Sequence, residues 1–295
     1  MRRAVLFFSA CCALLPVCAA QPVSLADDRG RLLVLAQPAQ RIVALAPHLT
    51  ELVFAAGAGA RLVGVARFSD HPPQARAIAQ VGDAARVDLE RIVAAAPDLV
   101  LAWLSGNPAP EIERIERLGY AVFVTEPARL ADVPRLLRAI GKLADSAAPA
   151  ERAAREFERE IEALAARHAR ADPVRVFYEI WHRPLITVNG RHAISDVLRL
   201  CGAVNVFAHA PLLTPTVSPE AVLAARPEAA IGGGSADTPL AFAQRWRRFP
   251  AAALSGLPAF YVHPDLIQRQ TPRLVEGAKA VCAALEQVRA SKKGA

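Results

Sequence analysis

Residues 87–98 read VDLERIVAAAPD and residues 217–228 read VSPEAVLAARPE, so Val87, Glu90, Ala94, Ala95 and Pro97 recur 130 positions later as Val217, Glu220, Ala224, Ala225 and Pro227. Each copy spells one supersecondary unit. Asp88 and Ser218 are N-cap residues, Pro219 suits the first helical turn, an apolar helix follows, and Pro97 or Pro227 stops it ahead of a strand, LVLAW or AAIGG. Further upstream, TELVFAAG (50–57) and SDVLRLCG (195–202) each read as a capped helix closed by a glycine suited to a left-handed turn. Each of these follows a β-branched run, RIVALA at 41–46 and PLITV at 184–188. Strand, helix, strand, helix, twice over, predicts an α/β chain of two lobes with mostly parallel sheets.

The 295 residues suffice for two cored lobes. Residues 1–20 belong to neither. MRR, the apolar run AVLFFSACCALLPV and CAA before Gln21 have the order of a secretory signal peptide, too short for a comfortable membrane span. The expected boundaries are therefore 1–20 for the signal peptide, 21–146 for the first lobe, 147–171 for a linker helix and 172–295 for the second lobe. The linker, APAERAAREFEREIEALAARHAR at 148–170, is rich in Ala, Glu and Arg and carries Phe157, Ile161 and Leu164 as a narrow apolar stripe. A single helical strut of this kind leaves a cleft that opens only modestly.

Export agrees with the cysteines. Cys11, Cys12 and Cys18 leave with the signal, and the remaining pair, Cys201 and Cys282, is expected to be bonded in an oxidising compartment. The formal charge of +7 becomes +5, 33 basic against 28 acidic side chains, once Arg2 and Arg3 are removed. The arginines are scattered among acids and form no basic stripe, so a nucleic-acid role is not expected.

In open α/β sheets ligands bind beyond the carboxyl ends of the strands. The residues to inspect are thus Pro47, His48 and Leu49 after the first strand, Phe68 to Asp70 after LVGVA, Trp103 to Ser105 after LVLA, Trp181 to Arg183 after VRVFYEI, the run Gly232 to Gly234, and Asp265 to Arg269 after FYVHP. A cleft walled by Phe68, Trp103 and Trp181 suits a broad, flat, largely apolar ligand with a polar rim. The seven histidines form no paired ligand motif, so no bound metal ion is expected. No Gly-x-Ser-x-Gly elbow and no set-off acidic pair is present, and no enzymatic activity is expected. Glu90 and Glu220, in the first turns of the repeated helices, complement the helix dipole. They also place one carboxylate at equivalent points of each lobe, where basic residues of a symmetric membrane partner could dock.

RIVALAPHLTELVFAAGAGARLVGVARFSDHPPQA, VDLERIVAAAPDLVLAW, VSPEAVLAARPEA and TPRLVEGAKAVCAAL together resemble the periplasmic substrate-binding proteins of metal-chelate ABC importers, over nearly the whole mature chain. The resemblance implies two Rossmann-like lobes joined by one long helix, a monomer in the periplasm without cofactor, and delivery of the ligand to membrane permease subunits with no covalent chemistry. The implied ligand is cobalamin (vitamin B12) or a related corrinoid, with Phe68, Trp103, Asp265 and Arg269 at matching cleft positions; Pro47, His48 and Trp181, taken from the strand ends, complete the expected ligand-binding set. It further implies docking through Glu90 and Glu220 and a disulfide between Cys201 and Cys282. Ala84, Thr214 and Leu266 stand where the corrinoid-binding member compared carries tryptophan, and Trp181 is an added aromatic. Haem, with Tyr178, His182, Tyr261 or His263 as axial ligand, or a ferric siderophore against Arg67, Arg183 and Arg269, is the alternative.

Overall fold

The computed structural model describes residues 22–234, 238–249 and 254–294; the signal peptide expected at 1–20 lies outside them. An antiparallel hairpin of β1 (Val23–Ala26) and β2 (Leu32–Leu35) opens the chain and packs on the first lobe through the buried Val23 and Leu35. The first lobe then runs β3 (Ile42–Ala44), α1 (Pro47–Ala55), β4 (Leu62–Val65), α2 (Leu89–Ala95), β5 (Leu99–Trp103), α3 (Ala109–Arg117), β6 (Val122–Thr125) and α4 (Asp132–Leu143). After α5 (Ala147–His168) comes β7 (Val174–Glu179), followed by a small antiparallel hairpin of β8 (Trp181–His182) and β9 (Leu185–Ile186). The second lobe continues with α6 (Ala193–Leu200), β10 (Ala203–Asn205), α7 (Pro219–Ala224), β11 (Ala229–Gly232), α8 (Pro239–Arg247), β12 (Ala259–Tyr261), α9 (Pro264–Ile267) and α10 (Leu274–Lys293).

Both sheets are parallel and share one topology, β4-β3-β5-β6 in the first lobe and β10-β7-β11-β12 in the second. The repeated phrase accounts for the match. Asp88 Oδ1 accepts the Arg91 backbone N–H at 3.1 Å and Ser218 Oγ that of Ala221 at 3.2 Å, so both repeated helices are capped as the sequence predicts. At their far ends Ala96 and Arg226, again 130 apart, take the left-handed conformation at φ 42° and 44° ahead of the prolines. One arginine per lobe then covers the freed carbonyls. Arg41 donates to Ala96 O and Ala95 O at 2.9 and 2.5 Å, and Arg175 to Arg226 O and Ala225 O at 3.1 and 2.6 Å.

That second correspondence corrects the expected alignment of strands. The counterpart of RIVALA is not PLITV but RVFYEI at 175–180, because only β7 lies at the centre of its sheet; PLITV supplies just the two residues of β9. Nor are Thr50 and Ser195 caps. The helix α1 starts three residues earlier, at Pro47, and Ser195 Oγ donates instead to Asn189 O at 2.7 Å, while His192 Nδ1 caps α6 by accepting the Ile194 N–H at 3.1 Å.

Alternate strand residues feed opposite apolar layers, as parallel sheets covered on both faces require. Ile42, Ala44, Leu99, Leu101, Val176 and Tyr178 face one continuous core that runs through both lobes and along α4, α5 and α10. Val43 and Val100 face a first outer cluster with Ile92 and Ile115, and Phe177 a second with Phe242 and Trp246. The interlobe helix buries Ala150, Ala154, Phe157 and Leu164 against this core and spans roughly 33 Å. It ends at His168 rather than 171, since Asp172 precedes Pro173 and residues before proline avoid the helical conformation. The disulfide joins Cys201, at the end of α6, to Cys282 in α10. A salt bridge from Arg129 to Asp196 at 2.7 Å links the lobes beside α5. Among the described residues no helix is long and apolar enough to cross a membrane.

Candidate ligand-binding cleft

In each sheet the connections reverse direction between the first and third strands of the lobe, so the carboxyl ends of β3 with β5, and of β7 with β11, are the crevices where a ligand has room. In the first lobe α1 begins immediately beyond β3, with the half-buried Pro47 in its first turn and His48 next to it. The His48 ring meets the indole of Trp103, the last residue of β5, edge to face at 5.1 Å. His48 is only 4% exposed, so it lies behind Trp103 rather than at the surface. Burial, reinforced by the positive charge of Arg269, pushes its imidazole down to about 3 and keeps it neutral, and its Nε2 has no partner among the described residues.

Trp103 is held from below. Its backbone N–H donates to Asn107 Oδ1 at 2.7 Å, and the Asn107 amide donates to Leu45 O at 3.0 Å and Ala84 O at 2.9 Å, tying the ends of two strands and the 82–87 turn together. Gly106 passes so close that a Cβ there would come within 1.8 Å of the indole, which makes glycine obligatory while Trp103 keeps this position.

Phe68, beyond β4, is the most exposed of the aromatics expected in the cleft, at 63%. It holds the left-handed conformation with φ 67°, a costly state for a bulky side chain that marks functional sites more often than ordinary loops. Two contacts sustain it. The Arg67 guanidinium lies 4.9 Å from the Phe68 ring centroid, and the Phe68 carbonyl accepts from Arg269 Nη2 at 3.3 Å across the interlobe gap.

Arg269 is the centre of a charge cluster that joins the lobes. From its place just past α9 it donates to Glu51 Oε1 at 2.9 Å and Asp70 Oδ1 at 3.2 Å, and pairs with Asp265 Oδ1 at 2.9 Å. Arg273 closes on the same Glu51 with two bonds, Nε to Oε2 at 2.9 Å and Nη2 to Oε1 at 2.6 Å. Although burial opposes it, the hydrogen bond from Arg269 holds the Asp70 carboxyl below the usual carboxylate range. Contacts thus bring His48, Phe68, Trp103, Asp265 and Arg269 into one neighbourhood, with Pro47 adjoining His48. Asp70, one of the strand-end residues expected to face a ligand, belongs to it as well, as do Glu51, Asn107 and Arg273, which the sequence did not single out. Glu51 did carry a signal, an acid inside the apolar helix TELVFAAG.

Trp181 stands apart on the β8–β9 hairpin, 46% exposed, with its Nε1 donating to Arg183 O at 2.9 Å. It emerges from the same edge of the second sheet as Asp265 and Arg269, since Glu179 O accepts from Gly233 N and Gly233 O from Gln268 Nε2. No side-chain contact among the described residues joins it to Phe68 or Trp103. Of the axial ligands considered for haem, Tyr178 is fully buried and its hydroxyl is pushed up by burial, and His263 Nδ1 is engaged in capping α9. Glu90 and Glu220 are both exposed in the first turns of α2 and α7, and the Ser218 hydroxyl holds the Glu220 carboxyl below its ordinary range. Among the described residues no three or more His, Cys, Asp or Glu side chains gather as a metal site.

Two α/β lobes of one topology joined by a single helical strut, with exposed aromatics and an arginine–carboxylate cluster beyond the strand ends, have the architecture of a two-lobed binding protein. The chain belongs to the periplasmic binding protein family, whose model matches residues 42–255. It is 34% identical over 253 residues to the vitamin B12-binding protein of Vibrio parahaemolyticus serotype O3:K6, covering 86% of this chain and 92% of that relative. A second relative, the vitamin B12-binding protein of Pectobacterium carotovorum subsp. carotovorum, is 37% identical over 250 residues, 83% of this chain and 88% of its own. Among solved structures, the periplasmic vitamin B12 binding protein BtuF of Vibrio cholerae superposes with a TM-score of 0.77 at 31% identity, covering 85% of this chain and 98% of that one. The periplasmic heme-binding protein RhuT from Roseiflexus sp. RS-1 shares the fold, with a TM-score of 0.73 at 21% identity over 84% of this chain and 98% of its own.

Proposed function

We propose that this protein is the periplasmic solute-binding component of an ABC importer, that it captures cobalamin or a related corrinoid between its lobes, and that it passes the ligand unchanged to the membrane permease. The observation that carries the reading is the pairing of vitamin B12-binding relatives, 34 and 37% identical over more than four-fifths of the chain, with a gap whose aromatics are displayed rather than buried. Phe68 and Trp181 offer the exposed flat surfaces, Trp103 stands on His48, and Asp265 and Arg269 supply charge for the polar rim of a corrin ring. His48 acts by holding the Trp103 indole in place. The protein works as a monomer without cofactor or catalysis, and its two exposed glutamates, Glu90 and Glu220, dock on basic residues of the permease.

Fluorescence quenching by cyanocobalamin tests the pocket. Phe68→Ala and Trp181→Ala are each expected to weaken binding about tenfold, on the order of 1.4 kcal/mol for one lost aromatic surface, and unaltered affinity in both would remove these residues from the site. Charge reversal tests the docking. Glu90→Lys with Glu220→Lys is expected to bind cyanocobalamin normally and to fail in uptake by cells, whereas unimpaired uptake would dismiss the docking role.

A further inference from the structure

The 130-residue repeat relates more than backbone. α3 and α8 begin 130 residues apart, at Ala109 and Pro239, and end 130 apart, at Arg117 and Arg247. Leu89, Glu111 and Arg114 accordingly have Pro219, Ala241 and Gln244 as counterparts, and each trio lines a chamber between the start of the repeated helix and the next helix along. The first-lobe chamber encloses about 640 Å³ and the second-lobe chamber about 500 Å³.

The two chambers have diverged in charge. Four carboxylates and four guanidinium groups line the first, so its formal charge cancels. In the second, Ala241 stands in the place of Glu111, and among the described lining residues Glu179 is the one carboxylate beside Arg183, Arg245 and Arg248. Glu179 is 2% exposed, and both its oxygens are engaged, Oε1 by Arg245 and Oε2 by the Trp246 indole N–H at 2.9 Å. With both oxygens so engaged it has little left to offer a group in the chamber, and burial raises its carboxyl from the ordinary value. Arg183 and Arg248 form no ion pair among the described residues, so the described lining carries an excess of positive charge.

Its walls are apolar. Leu185, Pro219 and Phe249 contribute them, and the Phe249 ring stacks on buried Trp246 at 4.5 Å with 5° between the planes. His182 and Leu185 are paired across the β8–β9 hairpin and both line the chamber, while the other pair, Trp181 with Ile186, lies on the hairpin's opposite face. None of its lining residues belongs to the Phe68, Trp103 and Arg269 neighbourhood. Guanidinium groups match carboxylate and phosphate in geometry, and apolar walls beside them select an anion attached to a body that stacks.

We propose that the second-lobe chamber is a further binding site, for an organic anion carrying a flat apolar body, an aromatic carboxylate or an aromatic phosphate ester, held by Arg183 and Arg248 against Phe249 and Leu185. The same chemistry has two sources, a free small anion or the anionic arm of a larger ligand seated on the Trp181 side of the hairpin. The site does not depend on the identity of the cleft ligand.

The test is calorimetric titration of the mature protein with 1-naphthoate, which has charge and body, beside 1-naphthylmethanol, which has the body alone, and inorganic phosphate, which has the charge alone. One-to-one naphthoate binding is expected, with the other two at least about tenfold weaker, because only naphthoate meets both the guanidinium pair and the apolar wall. Arg183→Ala with Arg248→Ala is expected to lose about tenfold or more in naphthoate affinity, and Ala241→Trp, placed at an exposed position of α8, to abolish it, with the melting temperature of each recorded as the check on folding. No naphthoate binding by the unmodified protein, equal binding of the alcohol, or full binding by both folded variants would overturn the site. Repeating the naphthoate titration on protein saturated with cyanocobalamin separates the sources: competition assigns the chamber to the arm of the large ligand, and its absence to a free anion. A protein that takes naphthoate but no cobalamin would keep this site and lose the proposed function.

Discussion

Glu51 is the carboxylate on which the second lobe leans, and its removal has a calculable cost. The residue is 4% exposed and accepts three charge-assisted hydrogen bonds from Arg269 and Arg273, whose side chains are 16 and 17% exposed. Breaking a buried ion pair by deleting one partner costs about 3–5 kcal/mol, because the other charge is left without compensation. Arg269 keeps Asp70 and Asp265 after the deletion, which places Glu51→Ala near the lower end, about 3 kcal/mol. For a chain of this size that is a fall of roughly 6–12 °C in melting temperature. Asp70→Ala is the internal control. It removes another partner of the same Arg269, but at 46% side-chain exposure its pair is worth about 0–1 kcal/mol. Thermal denaturation followed by circular dichroism, with urea midpoints beside it, compares the two. A Glu51→Ala protein melting within about 2 °C of the unmodified one, or an equal loss from Asp70→Ala, would refute the claim that burial makes this cluster the interlobe tie.

Three other outcomes are expected. The histidines His48 and His192, held at about 3 and about 4 by burial against an ordinary 6.5, are protonated first in the unfolded chain, so stability is complete above about pH 7 and falls as the pH drops. Each contributes a loss of about 2 kcal/mol between pH 7 and 5; urea midpoints that stay level or rise over that window would contradict it. Replacing Cys201 and Cys282 by serine opens a link across 81 residues, with an expected loss of about 4–5 kcal/mol and a melting temperature lower by about 10 °C or more, read by calorimetry. Gly141→Ala puts a Cβ 2.3 Å from that of Ala150 where α4 meets α5, costing about 1–3 kcal/mol in urea unfolding, most of which Ala150→Gly should restore in the double variant.

The features legible in the sequence were those set by chemistry within a few residues. An N-cap, a first-turn proline, an apolar period and a stopping proline sufficed to show VDLERIVAAAPD and VSPEAVLAARPE as one unit, and both caps form as read. The pairing of RIVALA with PLITV failed because a β-branched run carries no sign of whether it will be a central strand or one arm of a hairpin; the sheet order decides that. Asp265 and Arg269 were visible as polar residues past a strand end. Their partner Glu51 lies 218 residues from Arg269 and 222 from Arg273, a proximity that only the meeting of α1 with the segment before α10 creates. The left-handed backbone of Phe68 had no local signal either, since glycine or asparagine would announce such a turn and phenylalanine does not.

Calorimetric titration of the purified mature protein with cyanocobalamin, with haemin and a ferric siderophore run in parallel, tests the central claim most directly. One-to-one submicromolar binding of cyanocobalamin, about −8 kcal/mol or stronger, with the other two far weaker, is the expected result. Tight haemin or siderophore binding without any cobalamin binding would keep the fold and the family and contradict the corrinoid reading.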